Sequence, residues 1–108
     1  MEQIIKQILK FRNDRDWKKF HTPANLAKSI SIEANELLEH FQWLEQDYNK
    51  QEVAYELADV LVYCYLLADS LKLDPNKIIK EKLAINAKKY PVKLVKGSSK
   101  KYTFYKKK

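Results

Sequence analysis

The chain has 108 residues, enough for one domain with a thin core, because small folds bury a smaller share of their surface than large ones. Hydrophobic residues make up 45% of it and charged residues 32%, which excludes a disordered chain and a membrane-embedded one. The longest apolar stretch, Val60 to Ala68, is far shorter than the roughly 20 residues that span a bilayer. With no secretory leader and a single cysteine, Cys64, the expected location is the cytoplasm.

The formal charge of +7 invites a nucleic-acid interpretation, but the charge is unevenly distributed. Residues 96–108 hold six lysines and no acid, which leaves only +1 for residues 1–95. Residues 29–70 instead contain nine acids against one base. This pattern makes a nucleic-acid partner unlikely for the domain and indicates an acidic centre that binds cations, with a basic periphery.

The predicted elements are all helical, since the sequence has one glycine, three prolines and no strand-like alternation before its tail. The first helix is predicted from Glu2 to Asn13, with five apolar residues on its inner face, followed by a polar connector from Asp14 to His21. Thr22 and Pro23 read as the N-cap and first residue of a second helix that continues to about Glu45.

A third helix is predicted from about Gln51 to Leu71 and should be the most buried element, because its second half is apolar almost all round. Asp74 and Pro75 begin a fourth helix that ends near Lys89. The expected organisation is therefore a four-helix domain over residues 1–92 and an extended, basic arm over residues 93–108.

The strongest chemical signal is a pair of acidic motifs on consecutive helices. Helical spacing from Leu26 through Ile30 to Leu37 requires an apolar residue at position 33, but the sequence has Glu33 there and Glu36 one turn later. The third helix repeats the three-residue spacing with Glu56 and Asp59, just before the most hydrophobic run. Four carboxylates directed toward an interior would be tolerated only with a cation, and an all-oxygen ligand set favours magnesium, with manganese as an alternative.

These motifs, E-x-x-E followed by E-x-x-D, resemble those of the all-α MazG-like nucleoside triphosphate pyrophosphohydrolases, and the flanking residues are most similar to the dCTP pyrophosphatase-like branch. The similarity covers roughly residues 10 to 92. Its further motifs are Arg15-Asp16-Trp17, Phe20-His21, Pro23 with Asn25-Leu26, Phe41-Gln42-Trp43, Asp59-Val60-Leu61 with Tyr63, Glu81-Lys82-Leu83 with Asn86, and Lys89-Tyr90-Pro91.

The resemblance implies a four-helix MazG-like domain that converts a deoxynucleoside triphosphate, with dCTP or a modified dCTP favoured, to monophosphate and pyrophosphate. It implies that the four acids hold Mg²⁺, that Lys82 contacts phosphate, that Tyr63 and Asn86 lie near sugar and phosphates, and that Trp17 and Trp43 flank the base. It also implies a homodimer or homotetramer. Catalysis is expected to involve Glu33, Glu36 and Lys82, with Glu36 as the first candidate for orienting the attacking water.

Several alternatives remain open from the residues alone. Trp43 and Tyr63 are also compatible with core or interface packing, His21 with a purely structural role, and Lys82 with a solvated helix face. The substrate could be other or damaged nucleotides, in a house-cleaning role. A second class of function is a noncatalytic helical module whose tail binds nucleic acid, although that interpretation leaves the acidic motifs unexplained.

Overall fold

The computed structural model describes residues 2–97, which contain five α-helices and one 3₁₀ turn and no β-strand. The helices are α1 (Glu2–Asp14), α2 (Pro23–Glu39), α3 (Lys50–Ser70), α4 (Pro75–Lys89) and α5 (Val92–Val95), and the 3₁₀ turn covers Lys18–Phe20. The all-α prediction is confirmed. No helix within this part of the chain is long and apolar enough to cross a bilayer.

The chain divides into two compact units, residues 1–73 and residues 74–108. In the first unit, α3 packs against both α2 and α1. Leu26 of α2 and Leu66 and Ala68 of α3 are the buried apolar residues among those described. The second half of α3 thus contributes to the core as expected, and α3 is the helix against which both α1 and α2 pack.

The predicted helix starts follow from capping side chains. The Thr22 hydroxyl accepts a hydrogen bond from the Asn25 amide at 3.1 Å, and Pro23 occupies the first turn of α2. Asn49 caps α3 and Asp74 caps α4 in the same manner, because each side-chain oxygen accepts an amide proton of the first turn. Local chemistry therefore determines where each of these helices begins.

One predicted boundary was wrong. Helix α2 ends at Glu39 rather than Glu45, because the amides of residues 40–42 bond to carbonyls three residues back and the chain then turns. Phe41 packs edge-on against Tyr48 with ring centroids 4.7 Å apart, and Asp47 adopts a left-handed conformation with φ of 63°, which together fold this segment back. In the predicted extended arm, Val92–Val95 forms the short helix α5; residues 98–108 of that arm lie outside the described residues.

Candidate functional site

The acidic motifs of α2 and α3 meet in the first unit. Glu33, Glu56 and Asp59 can each place one carboxylate oxygen within 4.8 Å of the others, which is a spacing that a single cation could bridge. Glu33 and Glu56 are half-buried and Asp59 is exposed. Glu36 is exposed as well, and its carboxylate is within hydrogen-bonding reach of both Glu33 and Glu56. We call these four residues the carboxylate cluster.

Glu33 lies in the cluster because of its position in the α2 stripe. Leu26 is buried, and Ile30 and Leu37 are half-buried where α2 packs on α3, so the residue between them must also face α3. Glu56 and Asp59 lie one turn apart on the opposing helix. The packing that buries the leucines therefore forces the carboxylates together.

The proximity of these carboxylates raises their affinity for protons. Burial, hydrogen bonds to Glu36 and Glu56 and the negative charge of both raise the pKa of Glu33 to about 7. Burial, a hydrogen bond to Glu36 and repulsion from Glu36 and Asp59 also raise the pKa of Glu56. The lysine and arginine ion pairs described in the first unit involve other acids: Lys10 with Asp14, Arg12 with Asp69 and Lys19 with Asp16. A group of neighbouring carboxylate oxygens with raised pKa values fits a site for a hard divalent ion.

A cleft of about 510 Å³ opens beside the cluster, within the first unit. Asp59 belongs to both, since it also lines the cleft together with Tyr63, one turn further along α3. Most of the remaining lining is apolar and comes from α1 and α3: Ile4, Ile8, Phe11, Val62 and Leu66. An apolar cleft of this size with a few polar groups is typical of a small-molecule site.

Trp17 reaches the cleft because of how α1 ends. The Trp17 amide donates to the Arg12 carbonyl at 3.1 Å and the Asp16 amide to the Asn13 carbonyl at 3.1 Å, a Schellman arrangement. Asp16 occupies the left-handed position, with φ of 54°, that glycine favours. The turn brings the Trp17 ring edge-on to Phe11, with centroids 5.8 Å apart, and both rings line the cleft.

Three polar residues of this region were not predicted from the sequence: Arg12, Asp69 and His21. Arg12 is only 5% exposed, and its Nη1 donates to Asp69 Oδ2 at 2.8 Å. His21 lines the cleft near Arg12, just before Thr22, which caps α2. A signal for Arg12 was present, because helical spacing from Ile5 through Ile8 continues to position 12 on the inner face of α1.

The remaining predicted site residues are Trp43, Lys82 and Asn86. Trp43 lies in the turn segment after α2, is 86% exposed, and is not among the described residues that line the cleft. Lys82 and Asn86 lie one turn apart on α4 in the second unit, with Lys82 exposed and Asn86 half-buried. Their roles stay predictions.

Comparison with known proteins points to one family. Residues 28–103 match the model of the MazG-like family. The chain is 37% identical over 112 aligned residues to dCTP pyrophosphatase 1 of Homo sapiens and 35% identical to that of Rattus norvegicus; each alignment covers 95% of this chain and 66% of the relative. The chain thus spans just under two thirds of the length of these relatives. A crystal structure of a pyrophosphatase from Archaeoglobus fulgidus superposes with a TM-score of 0.79 and 43% identity, over 84% of this chain and 92% of that one.

Proposed function

This chain belongs to the MazG-like family, and we propose that it is a nucleotide pyrophosphohydrolase that converts a deoxynucleoside triphosphate and water to the monophosphate and pyrophosphate. The observation that carries the proposal is the convergence of Glu33, Glu56 and Asp59 within 4.8 Å beside a cleft of nucleoside size. Relatives named dCTP pyrophosphatase support dCTP, or a modified dCTP, as the favoured substrate.

Glu33, Glu36, Glu56 and Asp59 would hold Mg²⁺, with Mn²⁺ as the alternative, because the donor set contains only carboxylate oxygens and no nitrogen or sulfur. When bound, the ion would offset negative charge on the triphosphate and lower the pKa of a coordinated water. Asp59 is shared by the cluster and the cleft, so a nucleoside in the cleft would place its phosphates at the cluster.

In this mechanism the attacking water gives its proton to a carboxylate, its oxygen bonds to the α-phosphorus, and pyrophosphate leaves. Glu36 is the best placed of the four to orient that water, since it is exposed and stands next to the tightest three acids. Trp17 and Tyr63 would hold the nucleoside against the apolar wall, excluding solvent from one side. Lys82 and Asn86 of α4, and Trp43, are proposed as phosphate, sugar and base contacts on the strength of the family resemblance alone.

A second copy of the chain is proposed as a partner. One face of α3 presents an apolar stripe to solvent although the helix is central to the first unit: Ala54, Leu57, Ala58, Leu61 and Cys64. Burying such a stripe against an equivalent helix would add the apolar area that this small core lacks. A homodimer or homotetramer is therefore expected, and light scattering should show it for the wild type but not for Leu57→Glu, with Val92→Glu in α5 as the exposed control.

The decisive assay incubates the chain with Mg²⁺ and each common or modified triphosphate and identifies the products. Monophosphate with pyrophosphate is the expected pair, abolished by EDTA and restored by excess Mg²⁺. Diphosphate with inorganic phosphate would replace this mechanism by phosphatase action. Salt-sensitive binding of nucleic acid with no hydrolysis of any triphosphate would favour the noncatalytic alternative instead.

A further inference from the structure

One end of the cleft contains polar groups that metal binding and phosphate chemistry do not use. Arg12 of α1 is a buried arginine, 5% exposed, and it lines a cleft whose walls are otherwise mostly apolar. Burying a guanidinium is costly unless its charge is paired and its N–H groups are bonded. Here Asp69 supplies the charge and Asn13 a second bond, from Arg12 Nε to Asn13 Oδ1 at 3.0 Å.

The pairing decides what kind of ligand Arg12 could recognise. Because Asp69 neutralises the guanidinium at 2.8 Å, this end of the cleft does not offer the uncompensated positive charge that a phosphate requires. The bonds to Asp69 and Asn13 use two of the five N–H groups of the side chain. The remaining N–H groups of Arg12 therefore fit a neutral ligand that has hydrogen-bond acceptor atoms.

His21 gives an independent indication of a ligand at the same end. Its Nδ1 is shielded from solvent and is the buried side-chain polar atom without a hydrogen-bond partner in the described part of the chain. Burial, and then the positive charge of Arg12, lower the pKa of His21 and thus favour its neutral ring. A buried polar atom without a partner costs free energy that a ligand in the cleft would recover by bonding to it.

We propose that Arg12, which is paired with Asp69, and His21 form hydrogen bonds to the polar edge of the substrate base. The cleft would then select bases that have a carbonyl oxygen beside an unprotonated ring nitrogen. Arg12 and His21 would thus determine base specificity. This inference rests on the proposed function for the identity of the ligand, and on the buried polar groups of the cleft for the role of each residue.

The donor character of Arg12 defines the preference. A guanidinium donates but cannot accept, so it pairs with two neighbouring acceptors, which cytosine offers at O2 and N3 and guanine at O6 and N7. Uracil and thymine carry a proton on N3 between their carbonyls, and adenine has no carbonyl. The structure therefore favours cytosine and guanine nucleotides over uracil, thymine and adenine nucleotides.

The test measures binding of dCMP, dGMP, dUMP and dAMP in the presence of Mg²⁺ by titration calorimetry, because monophosphates report base recognition without hydrolysis. Wild type should bind dCMP or dGMP about tenfold more tightly than dUMP and dAMP, the discrimination typical of one good two-point contact to a base edge. Arg12→Lys keeps the charge and its pairing with Asp69 but loses the planar fork, so the preference should fall to about twofold or less. Lys10→Gln, which removes an exposed cation paired with Asp14 on the same helix, should leave the preference unchanged.

His21→Leu provides a second variant that leaves the ion pair intact. It should weaken dCMP or dGMP binding severalfold and change dUMP binding less. Thermal unfolding of each variant separates loss of fold from loss of recognition, since a purely structural Arg12 would weaken all four nucleotides in proportion.

The outcomes distinguish the inference from the proposed function. An unchanged base preference in both folded variants overturns the inference even if triphosphates are hydrolysed, and so does a wild type that binds no monophosphate or binds all four equally. A wild type that discriminates bases through Arg12 but releases no pyrophosphate from any triphosphate supports the inference and overturns the proposed function.

Discussion

The carboxylate cluster and the pair of Arg12 with Asp69 both involve residues of α3, but their charges are balanced in different ways. In the cluster, Glu33 and Glu56 lie among other acids, and burial and the neighbouring negative charges raise the pKa of both. At the cleft, Arg12 has its opposite charge, Asp69, at 2.8 Å. Acids that lack an opposite charge favour a positively charged ligand. An arginine that is already paired with an acid can still bind a ligand through directional hydrogen bonds. This difference underlies the proposals that the cluster holds an ion and that the cleft beside Arg12 holds a neutral, polar group.

The largest expected effect is on catalysis. Glu56→Gln should lower kcat/KM for Mg²⁺-dependent pyrophosphate release by about 100-fold or more, because it removes a charged ligand while preserving side-chain size. Glu52→Gln is the matched control, since Glu52 is one turn earlier on α3 and mainly solvent-exposed. Equal rates for the two variants would show that the cluster does not hold the ion.

The second effect is a metal-dependent change in stability. Mg²⁺ at about 100 times its dissociation constant should raise the free energy of unfolding by about 2.7 kcal/mol at pH 8, and less at pH 5.5, where protons compete for the same oxygens. Thermal melts with Mg²⁺ and with EDTA at both pH values measure this. Identical melting temperatures at pH 8 with and without the ion would show that the carboxylate cluster does not bind Mg²⁺.

Without a metal ion, the free energy of unfolding should fall as the pH rises, because the pKa of Glu33 is raised in the folded protein. Its pKa in the folded chain, about 7, exceeds the ordinary value of 4.5, so the native state holds the extra proton between these values. Its contribution to stability is therefore present below about pH 4.5 and is lost as the pH rises through about 7. Glu33→Gln in EDTA should flatten this decline, and a decline of equal slope in wild type and variant would contradict the assignment to Glu33.

A smaller effect is expected at the ion pair. Arg12→Met should lower the free energy of unfolding by about 2 kcal/mol, less than for a fully buried pair because Asp69 remains partly exposed. Lys10→Met breaks an exposed pair on the same helix and should cost less than about 0.5 kcal/mol. Urea unfolding compares the two variants. If they cost the same, the balanced-charge description of the cleft end is wrong.

The smallest effect concerns the turn that presents Trp17 to the cleft. Asp16→Gly should stabilise the protein by up to about 1 kcal/mol, because glycine adopts the left-handed conformation at φ of 54° without steric cost. Lys72→Gly offers a matched case at the end of α3, where φ is 57°. Chemical denaturation measures both, and Trp17 fluorescence should be retained in the first. A loss of stability in both variants would show that side-chain interactions outweigh backbone strain at these turns.

Local sequence determined where three of the helices begin and which acidic residues face the neighbouring helix. The caps Thr22, Asn49 and Asp74 specify helix starts through hydrogen bonds that span only two or three residues, so those starts could be predicted closely. The carboxylate cluster could also be predicted, because a charge that interrupts an apolar stripe is visible in helical spacing. Its exact membership, with Glu36 beside the three tightest acids, required the packing of α2 on α3.

The tertiary structure alone decided the rest. The segment after α2 folds back where Phe41 packs against Tyr48, and Arg12 is held at the cleft by Asp69, 57 positions away in the chain. Arg12 interrupts the stripe of α1 just as Glu33 interrupts that of α2, but spacing does not reveal whether an inward charge will find a partner. That outcome is set by which helices pack together, and it distinguishes the unpaired acids around Glu33 from the paired charge of Arg12.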